Sequence, residues 1–146
     1  MIPVKIRDQI ELQDIFLYDA HFTQDFKAQG LLKQQSRTGV HSTFVDCVDG
    51  KMSAQVIVDL GIRLVNAKEL LRCEVAARFL LIYQFTQDLT QEQREALGEL
   101  SVHTAWPFWR QHVFDVVQRS RLPHISVPLF GDLGKKRVGR KAARKL

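Results

Sequence analysis

Hydrophobic and polar residues alternate along three stretches of the first 85 residues. Residues 10–22 carry apolar side chains at nearly every even position, with Asp14 as the exception. Residues 56–65 and 71–83 alternate in the same way, separated by the short polar stretch 66–69. A period of two predicts β-strands with one apolar face. We expect the second and third of these strands to pair antiparallel, because the connection between them is so short.

The stretches between these strands are less regular. Residues 24–39 are polar, contain Gly30 and Gly39, and show little periodicity, so we expect an irregular segment there. Residues 41–48 are typical of a further strand, closed by the turn pair Asp49-Gly50. Beyond Leu80 both faces of the last strand become apolar. That end should be buried on both sides or covered by a partner.

The second half of the chain has a helical period. Thr90 and Gln93 have the spacing of a capping box and predict a helix start. Gly98 should weaken this helix modestly. Because proline lacks the N–H that a helix interior needs, we expect a second helix to start near Pro107 and to end at Leu122-Pro123. The predicted fold class is α+β, a four-stranded antiparallel sheet with two helices on one face.

Charge divides the 146 residues into two parts, a domain at 1–130 and a tail at 131–146. Seven of the 21 basic residues and none of the 16 acidic ones lie between Lys135 and Leu146, so the net charge of +5 becomes −2 for the rest of the chain. Such a block of like charge usually stays solvated and often serves as an interaction tail. The seven basic residues are Lys135, Lys136, Arg137, Arg140, Lys141, Arg144 and Lys145.

The sequence lacks the motifs of a disulfide scaffold, a metal site, a phosphate-binding loop and a membrane span. Two cysteines, Cys47 and Cys73, are too few for a disulfide scaffold and fit a reducing cytosol. The five histidines have no helical metal-binding spacing, and no phosphate-binding glycine loop occurs, so we expect no metal, no cofactor and no enzymatic activity. No apolar run approaches the length of a membrane span, and the first eight residues do not form a signal peptide. We therefore expect a cytoplasmic protein.

The second half also contains a motif with fixed spacing. It consists of Leu97-Gly98, then Trp106-Pro107-Phe108, then Arg121-Leu122-Pro123 and a second proline, Pro128. This run resembles the SecB export chaperones, which share the Leu-Gly pair, the aromatic-Pro-aromatic step and two prolines five residues apart. Residues 15–19 and 73–75 are similar to strand motifs of that family.

This resemblance implies a tetramer, a dimer of dimers, that holds unfolded preproteins and delivers them to the SecA motor. Some relatives instead protect the antitoxin of a toxin–antitoxin pair. Asp19 and Glu74 match two acidic positions with which the family contacts SecA, although they could equally belong to an ordinary solvated strand face. Thr23 and Arg72 depart from the family pattern, and Arg72 would reduce the negative potential that attracts a basic partner.

A holdase needs exposed apolar surface rather than catalytic atoms. The candidate client-binding residues are Phe16, Phe79, Trp106, Phe108 and Trp109. The alternative for each is a place in the core or in a subunit interface. Three large rings within four residues cannot all face one core, whereas Phe16 and Phe79 lie on the apolar sides of their strands.

Two function classes remain open at this point. The first is an ATP-independent cytosolic holdase for unfolded polypeptides, with no cofactor. The second is an adaptor, or a protein tethered to nucleic acid, that has the same fold and acts through the basic tail. That tail could bind RNA or another nucleic acid, anionic lipid or an acidic protein, or it could simply be solvated.

Overall fold

The computed structural model describes residues 9–46 and 50–129. Four strands come first and one long helix follows. Their bounds are β1 Ile10–Gln24, β2 Lys33–Asp46, β3 Met52–Val65, β4 Leu71–Phe85 and α1 Gln91–Ser120. The strands form one antiparallel sheet in the order β1-β4-β3-β2, which confirms the predicted four-stranded architecture.

The core lies between one face of the sheet and α1. Even-numbered residues of β3 and odd-numbered residues of β4 point toward the helix and are buried, apart from the partly buried first residues Met52 and Leu71. The expected antiparallel pairing of β3 and β4 is confirmed, with Ile57 opposite Leu80. Buried Asn66 shapes the turn between them, since its side-chain oxygen accepts hydrogen bonds from the backbone N–H groups of Lys68 and Leu70. We call the sheet face that turns away from α1 the outer face.

The prediction that β1 has a single apolar face is wrong. Two register irregularities in its pairing with β4, between Leu12 and Asp14 and between Leu17 and Asp19, each add a residue to β1. Because side chains alternate with a period of two, each extra residue exchanges the faces. Phe16 consequently lies opposite Leu80 on the outer face, while Leu17 lies opposite the buried Phe79.

The second part of the segment expected to be irregular, residues 33–39, belongs to β2. This strand starts at Lys33 and pairs with β3 without a shift as far as Asp46. Its first half lacks an apolar pattern because Gln34, Ser36 and Thr38 occupy the side facing the helix. Backbone hydrogen bonds to a neighbouring strand do not depend on side-chain polarity. Cys47 and Asp49, from the predicted end of this strand and its turn, lie outside the described residues.

The described residues contain one long helix after the sheet, so the prediction of two helices is wrong. The predicted capping box is confirmed: Thr90 Oγ1 accepts from Gln93 N–H, and Gln93 Oε1 accepts from Thr90 N–H. Pro107 lies inside this helix and removes one backbone hydrogen bond, at a cost of about 3 kcal/mol. Burial of Trp106 and Trp109 on either side of it, at roughly 1.5–3 kcal/mol each, outweighs that cost.

Candidate functional site

The structure divides the five predicted client-binding residues into two groups. Phe79, Trp106 and Trp109 are buried, with exposed fractions of 4%, 7% and 1%. They form part of the core between the sheet and α1. Phe16 on the outer face and Phe108 on the solvent side of α1 are exposed. The two exposed rings are accessible without rearrangement, whereas the three buried ones are not.

The two tryptophans are tied to their surroundings by specific contacts. Trp106 Nε1 donates a hydrogen bond to the backbone oxygen of Pro128 at 2.8 Å. Trp109 stacks on His112, with ring centroids 6.2 Å apart. Burial lowers the pKa of His112. One chain alone therefore covers both indole rings, as the core alternative considered for them in the sequence requires.

A groove between β2 and the first half of α1 provides apolar surface that remains open. Its volume is about 540 Å³. Val40 and Phe44 of β2 supply its accessible apolar side chains, and the fully buried Val102 of α1 lies beneath them. Val40 remains 44% exposed, although it points toward the helix. The lining residues are Val40, Ser42, Phe44, Gln91, Arg94, Glu95, Gly98, Glu99 and Val102.

Gly98 keeps this groove open. A Cβ atom placed on Gly98 would lie 3.4 Å from Val40 Cγ1, so any longer side chain would project into the space beside Val40. The glycine therefore has a spatial role in addition to its cost in helix propensity. Sequence reasoning found Gly98 and assigned it only that cost. Its presence in the middle of a capped helix was the available signal.

The rim of the groove carries charge. Arg94 lies over the Phe44 ring, 4.3 Å from its centroid, and makes a 3.0 Å ion pair with Asp88. Glu95 and Glu99 also line the groove and make no ion pair within residues 9–46 and 50–129. The groove thus combines an apolar floor with an acidic side.

The sheet edge next to the groove, formed by β2, can also accept a further strand. β2 stands last in the strand order, and no further strand of the described chain pairs with its free side. Unpaired N–H and C=O groups on such an edge can hydrogen-bond an added extended chain. An extended peptide could therefore pair with β2 while placing alternate side chains in the groove.

Asp19 and Glu74, the predicted partner-binding acids, both lie on the outer face and both have cationic or titratable neighbours. Asp19 forms an ion pair with Arg78, and the hydrogen bond from that guanidinium lowers the pKa of Asp19. Glu74 lies 3.5 Å from His21 Nε2.

The rest of the outer face continues the same alternation of charge. Arg37 and Asp59 form a further ion pair at 3.3 Å, and Arg63 donates to Gln35 at 2.7 Å. Cations and anions therefore alternate across this face instead of forming an acidic patch. A uniformly basic partner would find little net attraction there.

The remaining sequence predictions concern the basic tail, metal binding, membrane spans and the cysteines. The seven basic tail residues lie outside the described residues. Within residues 9–46 and 50–129, no group of three or more metal-ligating side chains occurs, and no helix is long and apolar enough to cross a membrane. Cys73 is buried in the core, and this burial raises the pKa of its thiol.

Known structures identify this architecture. The SecB-like chaperone Rv1957 of Mycobacterium tuberculosis, solved in complex with a ChAD peptide from the Rv1956 HigA1 antitoxin, superimposes with a TM-score of 0.68. The alignment covers 90% of this chain and 97% of that one, at 15% sequence identity. The chain has a SecB-like fold.

The other comparisons add no further likeness that bears on the site. A Streptococcus agalactiae protein of unknown function matches with a TM-score of 0.39 and 10% identity, covering 83% of this chain and 98% of that one. No family model matches the sequence, and no curated protein matches it. The resemblance to SecB seen in the sequence is thus confirmed at the level of the fold.

Proposed function

We propose that this SecB-like protein is an ATP-independent chaperone that binds extended segments of unfolded polypeptides. The observation that carries this proposal is the open groove between β2 and α1, with an apolar floor of Val40 and Phe44 above the buried Val102. A holdase gains its affinity by burying apolar client side chains, at about 25 cal/mol per Å². The free edge of β2 adds backbone hydrogen bonds that do not depend on client sequence.

Exposed aromatic side chains elsewhere would extend this binding surface. Phe16, Tyr18 and Phe22 on β1 are exposed, as are Phe26 in the connection that follows and Phe108 on α1. A long unfolded client could contact several such positions in turn. Phe79, Trp106 and Trp109 then act as the rigid base beneath the binding surface. The structural neighbour that holds an antitoxin peptide supports a peptide client.

The client class remains one of the two given by the resemblance, exported preproteins or an antitoxin. We favour an antitoxin or another cytosolic client, because Asp19 and Glu74 face cationic or titratable partners on the outer face. Delivery to SecA through an acidic surface is correspondingly less well supported. The basic tail favours a second function, an adaptor tethered to RNA or anionic lipid.

Assembly belongs to the same proposal. Leu12, Leu17 and Phe22 of β1 leave apolar side chains exposed on the helix-facing side at the edge of the sheet. We propose a homo-oligomer, a tetramer with closed symmetry, that covers this edge. Light scattering at micromolar concentration should give four times 16.8 kDa, and a 16.8 kDa monomer would contradict the assembly.

One pair of variants tests the groove. Val40 and Val45 lie on the same strand and are 44% and 46% exposed, but Val40 faces the groove and Val45 faces the outer side. Val40→Asp should abolish suppression of client aggregation without ATP, and Val45→Asp should retain it. Circular dichroism must show both variants folded. Equal activity of the two variants would refute the groove as the client site.

A further inference from the structure

The last described residues run back along α1 toward its N-terminus. Arg110 Nε donates to the backbone oxygen of Val127 at 3.4 Å, and Trp106 Nε1 donates to that of Pro128 at 2.8 Å. Consecutive residues of this segment, Val127 and Pro128, therefore contact helix residues that lie one turn apart, and the segment runs antiparallel to α1. Side-chain hydrogen bonds between Gln34 and Ser126 hold the segment beside β2 as well.

The next turn of α1 in this direction is the beginning of the groove. Val102, one turn before Trp106, belongs to its lining, and Glu99 and Glu95 follow at further turns. From Trp106 to Glu95 the helix rises about 16 Å. Eight extended residues span at most about 28 Å. The residues immediately after Leu129 therefore have more than enough length to follow the groove to Glu95.

The chemical character of the residues after Leu129 matches that of the groove. Phe130 and Leu133 are apolar, and Lys135, Lys136 and Arg137 follow. The apolar side chains that the groove presents are exposed Val40 and half-buried Phe44, and its basic lining residue, Arg94, is paired with Asp88. The same groove also presents the carboxylates of Glu99 and Glu95. Neither of these carboxylates has an ion-pair partner among the described residues. Both the apolar and the charged parts of the tail are therefore complementary to the groove.

We propose that residues 130–137 occupy the groove of their own chain, so that a client must displace them. The tail would then act as an intramolecular competitor, with Phe130 and Leu133 against the apolar floor and Lys135–Arg137 beside Glu95 and Glu99. This inference rests on the proposed function only in treating the groove as the client site. Occupancy by the tail can be measured without any client.

The direct test is photo-crosslinking in the full-length chain with p-benzoylphenylalanine in place of Phe130. We expect a crosslink within one chain to the groove peptides that contain Val40 or Val102, identified by mass spectrometry. The monomer mass on a denaturing gel distinguishes it from a crosslink between chains. Crosslinks mapped elsewhere, crosslinks only between chains, or none at all would overturn the proposal.

A pair of charge variants tests competition. Lys135→Glu, Lys136→Glu and Arg137→Glu together change the net charge by the same amount as Lys141→Glu, Arg144→Glu and Lys145→Glu. Permanently unfolded, carboxamidomethylated α-lactalbumin should bind the first variant about 3 to 10 times more tightly than the second, since two or three exposed ion pairs are lost. Equal affinities would contradict the competition. If neither variant nor the wild-type chain binds this probe, the proposed function fails, and the crosslink alone decides where the tail lies.

Discussion

Substitution of Gly98 by a large apolar residue should raise stability and weaken client binding, whereas substitution by alanine should only raise stability. Glycine costs a helix interior about 0.8–1.0 kcal/mol relative to alanine. Gly98 lies within α1, and the added Cβ would stand 3.4 Å from Val40 Cγ1, which requires only a small movement of that side chain. We therefore expect Gly98→Ala to raise the free energy of unfolding by somewhat less than 1 kcal/mol. The melting temperature should rise by about 3 °C.

Gly98→Leu should keep most of the helix-propensity gain, because leucine is nearly as good a helix former as alanine. Its side chain would fill the space beside Val40 that a client side chain is proposed to occupy. The loss of one buried apolar client side chain corresponds to about 1.5–3 kcal/mol, or roughly a ten- to hundred-fold higher Kd. Gln111→Leu, on the exposed side of the same helix, is the control for added apolar surface.

The assay combines thermal unfolding, at one protein concentration, with binding of carboxamidomethylated α-lactalbumin measured by fluorescence anisotropy. Binding is compared at a temperature at which all variants are fully folded. The reasoning predicts that Gly98→Leu binds weakly while Gly98→Ala and Gln111→Leu bind nearly as the wild-type chain does. Unchanged affinity in a folded Gly98→Leu variant would refute the role of the groove.

Three further predictions concern the core, pH and the tail. Trp106→Ala and Trp109→Ala should each lower the free energy of unfolding by about 3–5 kcal/mol, while exposed Phe108→Ala should leave it nearly unchanged in urea denaturation. Because burial lowers the pKa of His112, the unfolded chain binds its proton first, so stability should be full above about pH 6.5 and fall as pH decreases through the folded pKa. His112→Asn should flatten that part of a melting-temperature profile, and an unchanged slope would contradict this assignment. Truncation after Gly134 should abolish any binding to RNA or anionic vesicles and should preserve or strengthen client holding, because it removes Lys135–Arg137 as competitors, whereas loss of holding would show that the tail itself binds the client.

The sequence by itself determined the features that depend on local pattern. Alternation in residues 56–65 and 71–83 predicted two paired strands because side-chain direction in a strand has a fixed period. The spacing of Thr90 and Gln93 predicted the helix start because the capping box involves neighbouring groups only. The Leu97–Pro128 motif pointed to the SecB-like fold, which the structural comparison confirms.

Only the tertiary structure decided the features that depend on distant residues. The two irregularities of β1 reverse its faces, and they are visible only in its pairing with β4. The helix continues through Pro107 because the burial of Trp106 and Trp109 against the sheet outweighs one lost hydrogen bond. The groove likewise arises from the approach of β2 to Gly98. Local sequence indicates an element's period and its ends, whereas the packing of separate elements decides which faces are buried and which space remains open.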